Sequence, residues 1–316
     1  MKIVVLDGYC LNHGDLSWAS FEELGEVIRY ERTPYDKIVE RMGDAQVMIT
    51  NKCSIDEHII DSLPHLKYVG VLATGYNNID VDACRKRDIA VTNIPAYSTE
   101  SVVQTVFGLL TELYSGIGYH DKSVKEGGWV NSPDFCYYKS GMRQISGKTI
   151  GIVGAGRIGL RVAEVAKAYG MSVLIYSRSR HAEEVGFRYA ESLNELFSLS
   201  DVVSLNCPVD STNAKMINER TLALFKKNAV LINTARGGLV DEEALADALN
   251  RGQIAGAGLD VLATEPPKAE NPLLYAKNTV ITPHVAWATV EARSSLMEIA
   301  ANNLKSYLKG ESLNRI

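Results

Sequence analysis

Short apolar runs rich in Val and Ile alternate with segments of helical period along almost the whole chain. In the first hundred residues the pattern predicts five strands, at 2–6, 27–30, 47–50, 67–72 and 90–92, and helices at 35–42, 55–63 and 81–87. Strands that alternate with helices in this way form a parallel sheet that helices cover on both faces. The first hundred residues therefore predict a small open α/β domain.

The same alternation resumes in the second half of the chain. It predicts strands at 149–153, 172–176, 201–206, 229–233, 256–261 and 279–282, and helices at 160–169, 192–198, 219–225 and 242–250. A long helix that begins at Ser98 or Thr99 connects the two series, and an aromatic arm without a clear period, 127–142, follows it. The amphipathic helix at 291–308 comes too late for a new domain. We expect it to fold back onto the first domain or to pack along the connecting helix.

Composition narrows the class of protein. The 316 residues carry 33 Lys and Arg against 38 Asp and Glu, a formal net charge of −5, which argues against nucleic acid or an anionic membrane as the main partner. The five cysteines are scattered and form no metal-binding spacing, so we expect a reducing compartment and no metal site. The first apolar stretch is too short for a signal peptide, which predicts a cytoplasmic protein.

The run 149–159, Thr-Ile-Gly-Ile-Val-Gly-Ala-Gly-Arg-Ile-Gly, predicts a strand, a glycine turn and the start of a helix. Gly154 permits the tight turn, Gly156 lets the backbone approach a pyrophosphate, and Gly159 lets the helix pack closely on the strand. Unpaired N–H groups at the start of the helix attract the anion. We interpret this run as a dinucleotide site; a plain glycine turn or another nucleotide ligand is the alternative.

A second loop of small residues follows the fourth predicted strand and contains Ala73, Thr74 and Gly75. Open α/β sheets bind ligands outside the carboxyl ends of their strands, and a loop of small residues exposes backbone N–H groups to an anion. The alternative is an ordinary turn that caps the next helix.

Three ionisable residues follow late strands of the second series: Arg236, Glu265 and His284. Together they are suited to the reduction of a 2-keto acid. The arginine fork binds the carboxylate and the carbonyl oxygen, the histidine donates a proton as hydride reaches carbon, and the glutamate stabilises the imidazolium. Each residue also has a plain structural alternative: a solvated loop cation, a core histidine, or a surface carboxylate before a Pro-Pro turn.

The motifs at 154–159, 233–238, 258–261 and 282–284, with Glu265, resemble those of the D-isomer-specific 2-hydroxyacid dehydrogenases in order and spacing. The resemblance covers essentially the whole chain. It implies an α/β fold of two doubly wound parallel-sheet domains, in which a Rossmann dinucleotide-binding domain, 99–286, is inserted into a smaller flavodoxin-like substrate-binding domain. The latter comprises 1–98 and a returning C-terminal helix, 287–316. The resemblance also implies a homodimer formed through the dinucleotide-binding domain.

By matching position, the resemblance implies that Arg236 binds the substrate, that His284 is the acid/base and contacts the substrate, and that Glu265 orients the histidine. The backbone of Ala73, Thr74 and Gly75 is expected to hold the substrate carboxylate. The expected cofactor contacts are Gly154, Gly156, Arg157, Ile158, Gly159, Ser177, Arg178, Ser179, Cys207, Pro208, Thr234, Ala235 and Asp260. Among them, Asp260 is expected to contact the nicotinamide carboxamide.

Within the family, 284–289 and the first eight residues are most similar to glycerate dehydrogenases, also called hydroxypyruvate reductases. The expected substrate is therefore a small 2-keto acid, hydroxypyruvate or glyoxylate first. Phosphoglycerate dehydrogenase and D-lactate dehydrogenase are alternatives within the enzymes. A dinucleotide-sensing interaction protein on the same scaffold is the alternative from another class.

The dinucleotide fingerprint departs from its usual form at one point. An acidic residue is expected about twenty residues after the glycines, where it binds the adenosine ribose, but this chain has Ser177, Arg178 and Ser179 there. Without a carboxylate to repel a 2′-phosphate, Arg178 can pair with one. We therefore expect NAD(P) as cofactor, with NADP(H) favoured over NAD(H). The alternative is that Ser177 bonds the 2′-hydroxyl and NADH is used.

Overall fold

The structure, a computed structural model, describes residues 1–178 and 186–316. Its strands are β1 (Lys2–Val5), β2 (Glu26–Arg29), β3 (Val47–Thr50), β4 (Tyr68–Val71), β5 (Ala90–Thr92), β6 (Thr149–Val153), β7 (Ser172–Tyr176), β8 (Arg188–Tyr189), β9 (Val202–Leu205), β10 (Val230–Asn233), β11 (Gly256–Leu259) and β12 (Thr279–Ile281). Its α-helices are α1 (Ala19–Glu22), α2 (Ile38–Met42), α3 (Glu57–Asp61), α4 (Val81–Lys86), α5 (Thr99–Ser115), α6 (Ile117–Lys125), α7 (Arg157–Ala168), α8 (Leu193–Leu199), α9 (Glu219–Leu222), α10 (Glu242–Asn250) and α11 (Val290–Leu308).

The chain divides into two compact units. Unit 1 consists of Met1–Ser98 and Ala288–Ile316, and unit 2 of Thr99–Trp287. The helix α11 belongs to unit 1, where the guanidinium of Arg293 binds both carboxylate oxygens of Asp15, at 2.9 and 2.6 Å, and donates to the carbonyl of Leu11 at 2.9 Å. Unit 1 is therefore built from both ends of the chain.

Unit 1 contains a five-stranded parallel sheet in the order β2-β1-β3-β4-β5. Every residue of β3, β4 and β5 is buried, because helices cover both faces of the sheet. The order is that of flavodoxin-like folds. The prediction of an open parallel α/β domain is confirmed.

Unit 2 contains a seven-stranded parallel sheet in the order β12-β11-β10-β9-β6-β7-β8. The chain runs outward from β6 to β8 and then returns to the other side of β6 as β9. This is the Rossmann order with β12 added at one edge, and the point between β6 and β9 is where such sheets bind ligands. The prediction of two doubly wound sheets is confirmed.

The helix α5 packs closely across the sheet of unit 2. It buries Val106, Leu109 and Leu110. Close approach depends on Gly258 in β11, since a Cβ at that position would lie 2.8 Å from the Cβ of Leu109. These buried residues recur at the three- and four-residue spacing of an amphipathic helix.

Three short elements were not predicted from the sequence: α1, α6 and β8. No residue of α6 is buried, and β8 has only two residues. After α6 the arm 127–142 has no helix or strand, as predicted. Within the arm the indole N–H of Trp129 donates to the carbonyl of Phe135 at 2.9 Å.

Candidate active site

The glycine turn joins β6 to α7 at the switch point of the unit 2 sheet. Gly154 has a φ of +104°, which favours glycine, and a Cβ there would lie 2.6 Å from the carbonyl oxygen of Asn206. A Cβ on Gly159 would lie 2.0 Å from the carbonyl oxygen of Gly154. Gly156 differs, because a Cβ there would meet no described atom within 4 Å. Two of the glycines are thus required by internal packing, and the third borders open space.

The first turn of α7 has no side-chain cap. Its N-cap is Gly156, which offers no oxygen to the free N–H groups of Arg157, Ile158 and Gly159. Several other helices begin with a capping side chain, from Asp56, Asp80, Ser192 and Asp241, whereas α1, α2 and α6 also lack one. The uncapped turn keeps its positive potential available for an anion, and the open space at Gly156 fits the pyrophosphate of a dinucleotide.

Two buried polar atoms lie unpaired at the ends of β9 and β10. Leu205 pairs with Asn233 in the sheet, so Asn206 and Thr234 follow at neighbouring positions. The Oδ1 of Asn206 and the Oγ1 of Thr234 have no hydrogen-bond partner among the described residues. Buried polar atoms normally have partners, so this pair fits a polar ligand at the sheet edge. Asn206 is absent from the predicted contacts, although a polar residue directly after a buried strand was a usable signal.

The other predicted residues of these turns have mixed exposure. Cys207 is half-buried, and burial raises the pKa of its thiol. Pro208 is exposed, and its carbonyl accepts from Nδ2 of Asn213 at 2.8 Å. The N–H of Ala235 donates to Oδ1 of Asn233 at 3.0 Å, which shapes the turn after β10.

Glu265 and His284 form a hydrogen-bonded pair. The Nδ1 of His284 lies 2.6 Å from Oε2 of Glu265, and the other oxygen of the same carboxylate accepts from the N–H of Leu262 at 3.0 Å. The side chains of His284 and Glu265 are 34% and 37% exposed. The carboxylate thus fixes the imidazole through Nδ1, while Nε2 makes no hydrogen bond to any described residue and is open to a ligand.

The buried carboxylate of Asp260 organises the loop that carries His284. It accepts hydrogen bonds from the hydroxyl of Thr282 at 2.6 Å and from the N–H groups of Val285 and Ala286, both at 2.9 Å. The N–H of His284 donates to the carbonyl of Asp260 at 2.8 Å. These bonds hold His284 at a φ of +54°, which is uncommon for a residue with a side chain and is found at functional sites.

Arg236 stands in the turn after β10, and its side chain is exposed. Nδ2 of Asn233 donates to the carbonyl of Arg236 at 2.9 Å, and Nη1 of Arg236 donates to the carbonyl of Ala235 at 2.7 Å. A Cβ on the next residue, Gly237, would lie 1.9 Å from the carbonyl carbon of Leu262. Only glycine therefore lets the arginine turn pack against the loop that positions Glu265.

Arg178, which follows β7, has partners that the sequence did not predict. Nη2 of Arg178 lies 2.8 Å from a carboxylate oxygen of Asp210, and its Nη1 donates to the hydroxyl of Thr212 at 2.9 Å. Hydrogen bonds from Thr212 and then from Arg178 lower the pKa of Asp210 to about 2. Arg178 is 59% exposed but already has an anionic partner. Ser177 is half-buried, and Ser179 lies outside the described residues.

In unit 1, the predicted carboxylate loop follows β4. The hydroxyl of Thr74 donates to the carbonyl of Ile94 at 2.7 Å, and the carbonyl of Thr74 accepts from Nδ2 of Asn93 at 2.8 Å. Within the described residues, the N–H groups of Thr74 and Gly75 donate to no acceptor. Ala73 is buried, and its carbonyl accepts from the N–H of Ile94 at 3.0 Å. The loop thus offers two free donors from a fixed backbone.

Within residues 1–178 and 186–316, no three His, Cys, Asp or Glu side chains are grouped as metal ligands. Over the same residues, no helix has the length and apolar character needed to cross a membrane.

A Rossmann sheet with an uncapped glycine turn, an arginine and a carboxylate-held histidine along one edge defines a dinucleotide-dependent oxidoreductase. The family comparison makes the assignment specific. The model of the D-isomer specific 2-hydroxyacid dehydrogenase NAD binding domain matches residues 107–286, and the chain belongs to that family.

Individual relatives match over nearly the whole chain. A hydroxypyruvate reductase from Blautia hydrogenotrophica is 46% identical and is covered over 99% of both chains. A glycerate dehydrogenase from Methylorubrum extorquens is 38% identical over 99% of this chain and 98% of its own. Among solved structures, an NADPH-dependent glyoxylate/hydroxypyruvate reductase from Sinorhizobium meliloti, in complex with citrate, is 31% identical with a TM-score of 0.86, covering 100% of this chain and 97% of that one. The predicted family and enzyme class are confirmed.

Proposed function

We propose that the protein reduces a small 2-keto acid to the D-2-hydroxy acid with NAD(P)H, with hydroxypyruvate or glyoxylate as substrate. The observation that carries the proposal is the Glu265–His284 hydrogen bond beside the Arg236 turn, at the same sheet edge as the glycine turn. Relatives named for hydroxypyruvate, glycerate and glyoxylate support this substrate class over phosphoglycerate or D-lactate.

The dinucleotide is expected to lie along Gly154, Gly156 and the start of α7, with Thr234 and Asn206 as polar partners. When bound, the reduced nicotinamide supplies a hydride. Asp260 has three of its roughly four lone-pair positions engaged by the loop, which leaves room for one donor such as the carboxamide.

The side chains then have complementary roles. Arg236 binds the substrate carboxylate and carbonyl oxygen through its planar fork. Nε2 of His284 donates a proton to that oxygen, while Glu265 stabilises the charge on the imidazolium through Nδ1. For unit 1 we propose separately that the free N–H groups of Thr74 and Gly75 bind a carboxylate. Charge on the substrate is thus matched by fixed donors.

For cofactor choice, we propose that NADPH is accepted and that Arg178 binds the 2′-phosphate by exchanging Asp210 for it. The described residues directly after β7, at 177–178, include no carboxylate that would repel the phosphate. Arg178 is also more than half exposed. The existing ion pair between Arg178 and Asp210 competes with the phosphate and so weakens the preference for NADPH. We therefore expect NADPH and NADH both to be used, with a modest preference for NADPH.

We also propose a homodimer that forms through unit 2. The exposed apolar side chains of α6 and the arm form a surface typical of subunit contacts; they include Ile117, Trp129, Val130, Phe135 and Tyr138. Light scattering after gel filtration is expected to give twice the 34.6 kDa chain mass. A monomer for the wild-type protein, or an unchanged dimer after Phe135→Glu, would contradict this part of the proposal. Cytoplasmic location stays a prediction.

The reaction is tested by oxidation of NADPH and NADH with hydroxypyruvate, glyoxylate, pyruvate and 3-phosphohydroxypyruvate. We expect turnover with the first two and a loss of kcat of roughly 10²–10⁴-fold in His284→Ala, the usual contribution of a general acid. His65→Ala, which changes an exposed histidine of unit 1, serves as the control. Cofactor binding without turnover of any keto acid would refute the enzyme and favour a dinucleotide-sensing protein.

A further inference from the structure

The carboxylate loop of unit 1 is fixed by the segment that follows β5. Thr74 is bound through its hydroxyl to the carbonyl of Ile94 and through its carbonyl to Nδ2 of Asn93, at 2.7 and 2.8 Å. The neighbouring carbonyl of Ala73 accepts from the N–H of Ile94 at 3.0 Å. The conformation of the loop therefore depends on where Asn93 and Ile94 are held.

Two further asparagines hold that segment. Nδ2 of Asn303 in α11 donates to the carbonyl of Asn93 at 2.9 Å, and Oδ1 of Asn303 accepts from Nδ2 of Asn314 at 2.8 Å. The N–H of Asn93 donates to the carbonyl of Asn314 at 3.3 Å. Asn93, Asn303 and Asn314 thus form a closed network of hydrogen bonds behind the carboxylate loop.

The burial of Asn303 indicates that the network has a specific role. Its side chain is 1% exposed, and burying an amide in a helix face costs free energy that an apolar residue of similar size avoids. Both polar atoms of the amide are bonded, so the cost is offset only because Asn93 and Asn314 are in place. Asn314 has a φ of +51°, a backbone region that asparagine tolerates better than most residues.

We propose that this network, called here the asparagine relay, positions the N–H groups of Thr74 and Gly75 for the substrate carboxylate. The proposal rests on the proposed function, since it takes 73–75 as the carboxylate loop. In it Asn93, Asn303 and Asn314 are positioning residues, and the C-terminal half of α11 with the segment that follows it acts on substrate affinity without a substrate contact of its own.

The relay predicts a distinct kinetic signature. The carboxylate is present in the substrate and in the transition state alike, so a misplaced loop weakens the binding of both equally. Loss of such uniform binding raises KM and leaves kcat unchanged. A dead-end carboxylate inhibitor such as oxamate is expected to lose affinity by the same factor, and NADPH affinity is expected to stay the same.

Two variants test the relay at different distances from the loop. Asn93→Ala removes the donor to Thr74, and Asn314→Gly removes the donor to Asn303 while glycine keeps the positive φ. We expect KM for hydroxypyruvate and Ki for oxamate to rise about 5- to 10-fold in the first and about 2- to 5-fold in the second, the size of one lost hydrogen bond. Both kcat and the Kd of NADPH are expected to stay within about twofold.

Tyr68→Phe is the matched control. It removes a buried 2.6 Å hydrogen bond to Thr92 between the same two strands, β4 and β5, without touching the loop. We expect a lower Tm and an unchanged KM. An equal rise in KM in this control would overturn the relay, because stability alone would then explain the effect.

The remaining outcomes separate the two proposals. Wild-type turnover with an unchanged KM in Asn93→Ala overturns the relay alone. If Asn93→Ala does not fold, an unchanged KM in Asn314→Gly has the same consequence. Absence of wild-type turnover with any keto acid refutes the proposed function and with it the relay.

Discussion

Replacing Glu265 with Gln tests the support of His284 with the smallest change of shape. The N–H of Leu262 donates to Oε1 of Glu265, so in the variant the amide oxygen must take that position, because an amide NH₂ cannot accept. The NH₂ group then faces Nδ1 of His284, 2.6 Å from the oxygen that it replaces. Nδ1 must become an acceptor, and the doubly protonated ring that donates the proton is disfavoured.

The size of the effect follows from the kind of bond that is lost. A hydrogen bond to a charged group contributes about 1.5–3 kcal/mol, and because both side chains are about a third exposed, solvent screening places this one near the lower end. At 1.4 kcal/mol per factor of ten, a loss of about 1.5–2 kcal/mol lowers kcat about 10- to 30-fold. We expect this fall at saturating hydroxypyruvate and NADPH, with the Kd of NADPH unchanged.

Glu242→Gln provides the control, because Glu242, the first residue of α10, bonds the loop that carries Glu265. Its carboxylate accepts from the N–H of Ala263 at 2.8 Å and from Nδ2 of Asn271 at 2.9 Å, but does not contact His284. We expect its kcat to stay within about twofold of wild type, since it bonds the loop without a hydrogen bond to the histidine. If kcat of Glu265→Gln equals wild type, or if Glu242→Gln loses as much, the hydrogen bond to Nδ1 is not what supports proton transfer.

Four further predictions follow from single contacts. Arg236→Ala is expected to raise KM, because the arginine binds the substrate carboxylate, and to lower kcat, because its bond to the carbonyl oxygen strengthens as negative charge develops there in the transition state; a change in KM alone in steady-state assays would contradict the transition-state role. Asp210→Asn frees the arginine after β7 and is expected to raise the ratio of kcat/KM for NADPH over NADH; an unchanged ratio would exclude that arginine from the phosphate site. The hydrogen bond and charge of Arg293 lower the pKa of Asp15 from its usual 3.8 to about 2, so this contact stabilises the fold above about pH 4 and is lost as the pH falls toward 2. As the pH falls from about 4 to about 2, the midpoint of urea unfolding of Asp15→Asn is therefore expected to fall less than that of the wild type. Asp260→Asn places an NH₂ group against N–H donors of the loop. It is expected to lower both the Tm, measured by circular dichroism, and kcat, measured by turnover. A normal kcat with a lower Tm would show that Asp260 supports stability but not catalysis.

The sheets could be predicted because their signal is local. Buried parallel strands such as β3 and β9 are continuous apolar runs, and the helices between them keep a helical period. The glycines of the turn after β6 could be predicted as well. Two of them are required by close backbone contacts, Gly159 with the carbonyl of Gly154 and Gly154 with the carbonyl of Asn206 at the end of the adjacent strand. The helix α6 was not predicted, and none of its residues is buried.

The contacts between distant residues could not be predicted from local sequence. Arg178 and Asp210 are 32 residues apart in the sequence. They form an ion pair because β7 and β9 flank β6 and end at the same edge of the sheet. A sequence pattern shows the free arginine but not its partner. The orphan oxygen of Asn206 and the link from Asn303 to Asn93 have the same origin, because burial and pairing of a polar atom are decided by the tertiary fold.

The geometry of His284 shows why the chemistry lies at strand ends. Its φ of +54° is unfavourable, so the conformation persists only because surrounding bonds determine it. Those bonds come from Asp260, which directly follows β11, and from Glu265, which the same loop holds through Leu262. The rigid sheet thereby holds the imidazole in one orientation before the substrate binds. The proton donor then needs no rearrangement during the reaction.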